Sequence, residues 1–223
     1  MKLSVIVPVL NEVAGVPELC AHLMPYARQS VEVILVDGGS EDGTAELVEH
    51  LGFRLIRSPR GRALQMNSGA ATARGDVLLF LHADTRLPPG VLPLLESRVS
   101  HAHDWGRFDV RIEGRPAMLK WVAWLMNWRS RLTGIATGDQ AMFMTRAAFD
   151  AVGGFPQQPL MEDIEMSSRL RRLARPLCLT DQVVTSGRRW EQRGVWRTIF
   201  LMWRLRWAYW RGVPAGQLAK AYR

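Results

Sequence analysis

Val31-Glu32-Val33-Ile34-Leu35-Val36-Asp37-Gly38-Gly39-Ser40-Glu41-Asp42-Gly43-Thr44 decides the fold of this chain. Residues 31–36 are mostly β-branched and nearly all apolar. Such a run suits a strand buried on both faces, as parallel sheets require. Asp37-Gly38-Gly39-Ser40 stops it, and Asp42-Gly43 opens a helix over Thr44–Leu51. The same grammar repeats outward from this unit. Leu3–Val9 is another buried run, broken at Asn11-Glu12 ahead of a helix over 16–28. Phe53–Ile56 reads as a short strand, Ala63–Ala73 as a helix of small residues, and Asp76–Leu81 as a fourth strand stopped by His82-Ala83-Asp84. Strands alternating with helices in this way give an α/β class, with a Rossmann-like, mostly parallel sheet covered by helices on both faces. Ligands meet such sheets at the carboxyl ends of the strands, which selects Asn11, Glu12, Asp37, His82 and Asp84 as neighbours in one crevice.

The second half is less regular. Phe108–Ile112, Ala141–Thr145 and Leu177–Thr185 read as strands, and Pro116–Trp128 and Met161–Leu173 as helices. Val195–Arg211 is a helix stopped by Gly212 and Pro214. No internal repeat and no Gly/Ser/Pro linker divides the chain. The expectation is one domain over residues 1–190, followed by a helical extension over 191–223.

Composition narrows the class. The 223 residues are 48% hydrophobic and 22% charged, which excludes disorder as the main theme. A chain of this length buries roughly 70% of its unfolded surface and needs no covalent staple. Cys20 and Cys178 are far apart and in no metal-ligand spacing, in keeping with a reduced compartment. Met1-Lys2 leads straight into a strand pattern, with no room for a secretory signal. The longest stretches free of charge, 63–73 and 151–161, are eleven residues each, short of the about 20 a spanning helix needs. A cytoplasmic protein is expected.

Charge and tryptophan are unevenly placed. Residues 1–110 carry a net charge of −3 and residues 111–223 one of +11. Eight of the nine Trp lie beyond residue 120. A basic, Trp-rich half suits anionic lipid headgroups, phosphorylated substrates or nucleic acid. No nucleic-acid reading motif accompanies it, so nucleic acid is not expected as a partner. Arg193, Arg197, Arg204 and Arg211 fall on one helical face, while Ile199, Phe200, Met202, Trp203, Trp207 and Trp210 fill much of the rest, with Arg206 interrupting. Trp121, Trp124 and Trp128 share a face of the earlier helix. Such helices either lie in a headgroup region or pack on the core or a second subunit.

Three stretches could carry chemistry. The Asp37–Thr44 turn lets backbone approach a ligand, with Asp37 free to accept from a base or ribose; an ordinary turn with Asp42 or Ser40 capping the helix is the plainer account. His82 and Asp84, two apart on an ending strand, both face the crevice, and a carboxylate there can hold a hard cation against a pyrophosphate. Glu162-Asp163 opens a helix after the Gly/Pro-rich stretch 153–159, and serves either as a cap or as a general base aimed at a substrate hydroxyl.

Taken in order, Val7-Pro8-Val9-Leu10-Asn11-Glu12, Val36–Thr44, Gly75-Asp76 through His82-Ala83-Asp84, Ala141-Met142-Phe143, Gly153-Gly154-Phe155 and Glu162-Asp163 resemble a family 2 glycosyltransferase of GT-A fold, over roughly residues 3–190. The resemblance implies transfer of a sugar, with inversion, from a nucleoside-diphosphate sugar to an acceptor hydroxyl. Pro8, Asn11, Glu12, Asp37, Gly39, Arg62, His82 and Asp84 would bind the nucleotide. Asp84, matching the last acid of the family's Asp-x-Asp motif, would hold Mg²⁺ or Mn²⁺ on the donor pyrophosphate. Asp163 would be the base, with Glu162 beside it. Gly138, Asp139 and Gln140 would lie near sugar and acceptor, and Arg189-Trp190 resembles a pair that some members place over the pyrophosphate. The first acid of Asp-x-Asp is His82 here, and a neutral imidazole prefers softer metals, so the cation is assigned to Asp84 and His82 to the nucleotide.

One base and one metal clamp fit a single displacement, because charge builds on the leaving diphosphate while a carboxylate activates the nucleophile opposite. Lipid-linked acceptors, common in the family, favour a peripheral position on the inner face of the membrane over a buried aromatic face. Two other classes compete. A nucleotidyltransferase would be expected to place a Gly-rich loop with Lys or Arg after the first strand, where Asn11-Glu12 stands. A non-catalytic, basic membrane-surface binding protein would account for the charge asymmetry alone.

Overall fold

The apolar runs at the start of the chain lie side by side. In the computed structural model, which describes residues 1–222, β1 (Leu3–Val9) pairs in parallel with β2 (Glu32–Asp37) on one edge and β4 (Val77–Phe80) on the other. β2 in turn pairs with β3 (Arg54–Arg57), also in parallel. The crossovers are α1 (Val16–Arg28), α2 (Thr44–His50) and α3 (Arg62–Thr72). Arg223, the last residue of the expected extension, lies outside the described residues.

Beyond β4 the sheet stops being uniformly parallel. It continues through β7 (Met142–Thr145), β6 (Trp105–Glu113), β8 (Leu177–Ser186) and the two-residue β5 (Thr85–Arg86), in the order β3-β2-β1-β4-β7-β6-β8-β5. β7 runs antiparallel to both β4 and β6, β5 antiparallel to β8, and β6 parallel to β8. The α/β class with a mostly parallel sheet stands, and the antiparallel pairs belong to the half whose sequence lacks regular strand–helix alternation.

Alternate residues of each strand feed two cores. Val5, Val7, Val33, Leu35 and Leu79 face α1, α2, α4 (Val91–Arg98) and α5 (Leu119–Thr133). Ile6, Ile34, Val36, Leu78 and Phe80 face α3, α6 (Arg146–Ala151) and α7 (Glu162–Leu170). The small residues of α3 are explained by this layer: a Cβ on Gly69 would collide with Ile6 and Val36, so the helix lies flat on the sheet only with glycine there.

The C-terminal helices cover the start of α7. After α8 (Arg188–Arg193), α9 (Val195–Trp210) and α10 (Ala215–Tyr222) bring Leu205 and Leu218 against Leu160 and Met161 in a third, small apolar cluster. The helix read over Pro116–Trp128 forms instead as α5, three residues later at its start and five at its end. Pro116 and Ala117 accept in the turn that leads into it. No helix of the described residues is long and apolar enough to cross a membrane.

Candidate active site

Two loops at the carboxyl ends of β1 and β2 are laced together. The Asn11 side-chain carbonyl accepts from the Glu41 N–H at 2.9 Å, and the Asn11 N–H donates to the Ser40 hydroxyl at 2.9 Å. The Glu12 and Val13 N–H groups donate to Thr44 and Asp42, at 2.9 and 3.0 Å. Asp37 is buried, and its carboxylate accepts from the Gly39 N–H at 2.9 Å and from the Ser40 N–H and hydroxyl. A carboxylate accepts about four hydrogen bonds, so Asp37 shapes its own turn with little capacity to spare. Behind the loops the Gln65 amide donates at 2.8 Å to the carbonyls of both Val9 and Val36, tying the two strand ends.

The end of β4 leads into a cleft of about 320 Å³ whose walls include Glu12, Asp84, Arg86, Glu113 and Arg188. Arg188 approaches Glu12 at 3.9 Å. Burial pushes the Glu12 carboxyl above its ordinary range, helped by Asp84 and Asp42 and opposed by Arg188. Asp84 is exposed, and its carboxylate takes only a 3.3 Å contact from the Thr85 hydroxyl. No group of three or more His, Cys, Asp or Glu side chains that could cage a metal occurs among the described residues. The donor set therefore fits a hard cation shared with a diphosphate and water, held by Asp84 with Glu12 near, and does not fit an all-protein site.

In a separate place, Arg62, His82, Gly138, Glu162 and Asp163 line a narrow gap of about 10 Å³. His82 Nδ1 lies 3.1 Å from Asp139 Oδ1. An ionised carboxylate only accepts, so Nδ1 carries the proton and Nε2 is turned toward Gly138. A Cβ on Gly138 would overlap the His82 ring, which is why glycine stands there. Partial burial works against ionisation of Asp139, but the His82 hydrogen bond and the charges of His82, Arg62 and Arg189 outweigh it and hold its carboxyl below the ordinary range.

Asp163 is aimed by backbone alone. Its Oδ2 accepts from the Gly138 N–H at 2.9 Å and its Oδ1 from the Ile164 N–H at 2.8 Å, in the first turn of α7. Glu162 is buried and pairs with Arg62 at 3.1 Å. Burial raises its carboxyl above the ordinary value, with Asp163 adding and Arg62 opposing. The start of α7 is brought here by Asn67 on α3, whose amide clamps the Phe155 carbonyl at 2.8 Å and N–H at 2.9 Å.

Residues 4–149 match the model of glycosyl transferase family 2. The chain belongs to that family. An undecaprenyl-phosphate 4-deoxy-4-formamido-L-arabinose transferase of Pseudomonas paraeruginosa is 32% identical over 149 residues, covering 61% of this chain and 44% of the relative. A protein of the same name from Aeromonas hydrophila is 34% identical over 113 residues, 45% of this chain and 34% of the relative. The chain thus spans less than half the length of these relatives. Among solved structures, the mannosyltransferase PcManGT from Pyrobaculum calidifontis, in complex with GDP-Man and Mn²⁺, superposes with a TM-score of 0.65 at 21% identity, over 93% of this chain and 61% of that one. S. aureus TarS 1-349 in complex with UDP gives 0.67 at 21% identity, over 83% and 60%. At that identity the neighbours establish the fold, and it is the GT-A fold.

The residues singled out in this family 2 sequence do not all reach the crevice. Asp84, Glu12, His82, Asp139, Glu162, Asp163 and Arg62 do. Pro8 is half-buried in β1, and Gly39 is exposed in the Asp37 turn. Gln140 is fully buried: its carbonyl accepts from the Thr137 N–H at 3.2 Å and its amide donates to Asn127 at 3.3 Å, so it braces the turn that carries Gly138 and Asp139. Arg189 is held by α10, where its guanidinium donates to the Tyr222 hydroxyl and lies 3.9 Å over that ring. Trp190 is half-buried against the main core. Two further residues, Arg129 and Arg206, come close enough to act electrostatically on Asp163. Arg206 left a trace in the sequence as the arginine that falls off the basic face and interrupts the aromatic pattern of 199–210. Arg129 left none beyond its place among inward-facing positions of α5.

Proposed function

We propose that this family 2 protein transfers a sugar from a nucleoside-diphosphate donor to an acceptor oxygen by a single, inverting displacement, on a lipid-linked acceptor at a membrane surface. The observation that carries this reading is a pair of acids in the two cavities that the end of β4 lines: exposed Asp84 in the cleft with Glu12 and Arg188, and backbone-aimed Asp163 in the gap that also holds His82. The donor's nucleotide would occupy the β1–β2 end, against Asn11, Glu12 and the Asp37 turn. A divalent cation on Asp84, when bound, would neutralise charge on the diphosphate. Arg188 and Arg62 add positive charge at either side. Asp163 would receive the acceptor's proton, and its two N–H donors hold it oriented before substrate arrives. The Mn²⁺ in the PcManGT structure and the lipid phosphate in the names of the curated relatives support the cation and the acceptor class.

The test is a thermal-shift screen of UDP-, GDP- and TDP-sugars with and without Mn²⁺. A ligand that binds only the folded state raises its stability by RT ln(1 + [L]/Kd). One donor series is expected to raise Tm, with a further rise on adding Mn²⁺ that Asp84→Ala removes. Mn²⁺ alone is expected to do little, because Asp84 offers one carboxylate. A flat response to every nucleotide sugar would sink the reading.

A further inference from the structure

Two arginines near the candidate base bury guanidinium nitrogens that have no partner among the described residues. Nε and Nη2 of Arg129, on α5, and Nε of Arg206, on α9, are buried without a hydrogen-bond partner among the described residues. A guanidinium stays charged and carries five donors, so burying one unpaired costs more than burying a neutral group. Their charged neighbours locate them. Arg129 is acted on by Arg206, Asp163 and Arg107, and Arg206 by Asp163 and Asp139; neither Asp84 nor Glu12 is among them. Burial first, then the repulsion of Arg206, pushes Arg129 down to about 10.

Among the described residues no acid forms an ion pair or hydrogen bond with either arginine. Asp109 is committed to Arg107 and, at 2.7 Å, to Arg131. Arg107 is itself fully partnered, through the Ser130 hydroxyl at 3.0 Å and the Asn127 carbonyl at 3.1 Å. Asp163 accepts from two backbone N–H groups and from neither arginine. Both helices are two-sided. α5 turns Trp121, Trp124 and Trp128 outward, and α9 turns Trp203, Trp207 and Trp210 outward, all at least half exposed.

We propose that Arg129 and Arg206 form an anion site for a phosphoryl group of the acceptor, so that the attacking oxygen belongs to a phosphate ester. This rests on the glycosyltransferase reading of the crevice. A phosphate oxygen bonds to the anomeric carbon as the bond from that carbon to the donor diphosphate breaks. The electron pair leaves on the nucleoside diphosphate, and any proton still on the phosphate passes to Asp163. Two guanidinium forks match a phosphate's equatorial oxygens. With a second pKa of about 6, the phosphate is mostly dianionic at neutral pH and needs cations more than a base.

The test is calorimetry and thermal shift on the full chain, with inorganic phosphate, octyl phosphate, octanol and the nucleoside diphosphates UDP, GDP and TDP as probes. Wild type is expected to bind both phosphates saturably and octanol not at all. Octyl phosphate binding tenfold or more tightly than inorganic phosphate assigns the site to a lipid-borne phosphate; equal affinity assigns it to a small phosphorylated acceptor. R129M and R206M are expected to lose phosphate binding at least tenfold, keep nucleoside diphosphate affinity within twofold, and melt no lower than wild type without ligand. If a Met variant fails to fold, R129K and R206K, which keep charge without the fork, should retain folding and show intermediate phosphate affinity. A wild type that binds a nucleoside diphosphate and ignores both phosphates overturns the proposal alone. Equal loss of diphosphate and phosphate affinity in the variants overturns it in favour of the donor. Silence toward every nucleoside diphosphate removes the underlying reading instead.

Discussion

His82, Gly138 and Asp163 work as one unit, because Gly138 presses on the imidazole with its α-carbon and aims the acid with its N–H. Gly138→Ala is therefore expected to lower turnover by about tenfold or more, since a misplacement of about 1 Å near the reacting atoms can cost a hundredfold. Tm should fall only slightly, because the residue is half-exposed. Unchanged kcat would mean that the His82 ring moves freely. Asp163→Asn keeps the shape and removes the base. Loss of a general base costs about a hundred- to ten-thousand-fold, so turnover on an acceptor oxygen that carries a proton should drop by that much with donor affinity intact, and far less on an acceptor that arrives as a phosphate dianion. Wild-type turnover would reduce Asp163 to a helix cap. Glu162 gives a pH signature. Its carboxyl, raised above 4.5 by burial and by Asp163, binds a proton more tightly folded than unfolded. That preference supports the fold below pH 4.5 and is lost as pH rises through the folded value. Glu162→Gln, which can still accept from Arg62, should melt higher than wild type at pH 8, and the gain should vanish by pH 4. A gain independent of pH would show that Glu162 does not titrate in this way.

At the scale of elements, α5 is fixed to the sheet by Asn127, whose amide donates to the Val110 carbonyl at 3.0 Å and accepts from the Val110 N–H at 2.8 Å. Asn127→Ala leaves both of these buried groups unpaired. At about 1–3 kcal/mol per orphaned group, a loss of about 3 kcal/mol in chemical unfolding is expected, with activity lost too, because Gln140 and hence Asp139 lean on the same side chain. A loss below about 1 kcal/mol would show that water replaces the amide. The parallel half of the fold was legible because a two-sided strand must be apolar nearly throughout, and 3–9, 31–36 and 76–81 are apolar but for Ser4, Glu32 and Asp76. The acids at the strand ends followed from topology alone. The antiparallel β7 and β6 were legible as strands but not in direction, since their burial is as continuous as that of β1. β5, α4, α6, α8 and α10 were not read at all; none is longer than eight residues, and the two-residue β5 carries no period. Gln140 and Trp190 misled because a polar or aromatic residue beside a motif looks the same whether it lines the cleft or braces the turn behind it. Arg129 and Arg206 were invisible as a pair because they lie 77 positions apart.

Across the whole molecule, the asymmetry of charge and tryptophan has a structural counterpart. Of the nine Trp only Trp105 is buried; Trp121, Trp124, Trp128, Trp196, Trp203, Trp207 and Trp210 are all more than half exposed, and Phe200, Leu125 and Leu132 are exposed with them. The alternative in which core packing hides these rings fails for the chain by itself, since α5 and α9 turn their aromatic sides to solvent. Exposed apolar patches of this kind mark interaction sites. Rings stacked on one another, as Trp124 is on Trp128 and Trp196 on Phe200, with arginines alongside, match the headgroup zone of an anionic bilayer, where Trp settles and each Arg near the surface adds about 1 kcal/mol. Since Arg129 and Arg206 lie on the inner sides of these same helices, a face laid on the membrane would present a lipid phosphate to Asp163 without leaving the interface. The protein is expected to float with phosphatidylglycerol vesicles at low salt, to bind phosphatidylcholine vesicles far less, and to release in 0.5 M salt, where the screening length falls to a few ångströms. Trp203→Ser with Trp207→Ser should weaken flotation at least tenfold while leaving inorganic phosphate affinity unchanged, because the rings point away from the arginines. Wild-type protein that stays with the pellet at low salt, yet runs as a dimer that the same two substitutions dissociate, would make this face a contact between two copies of the chain.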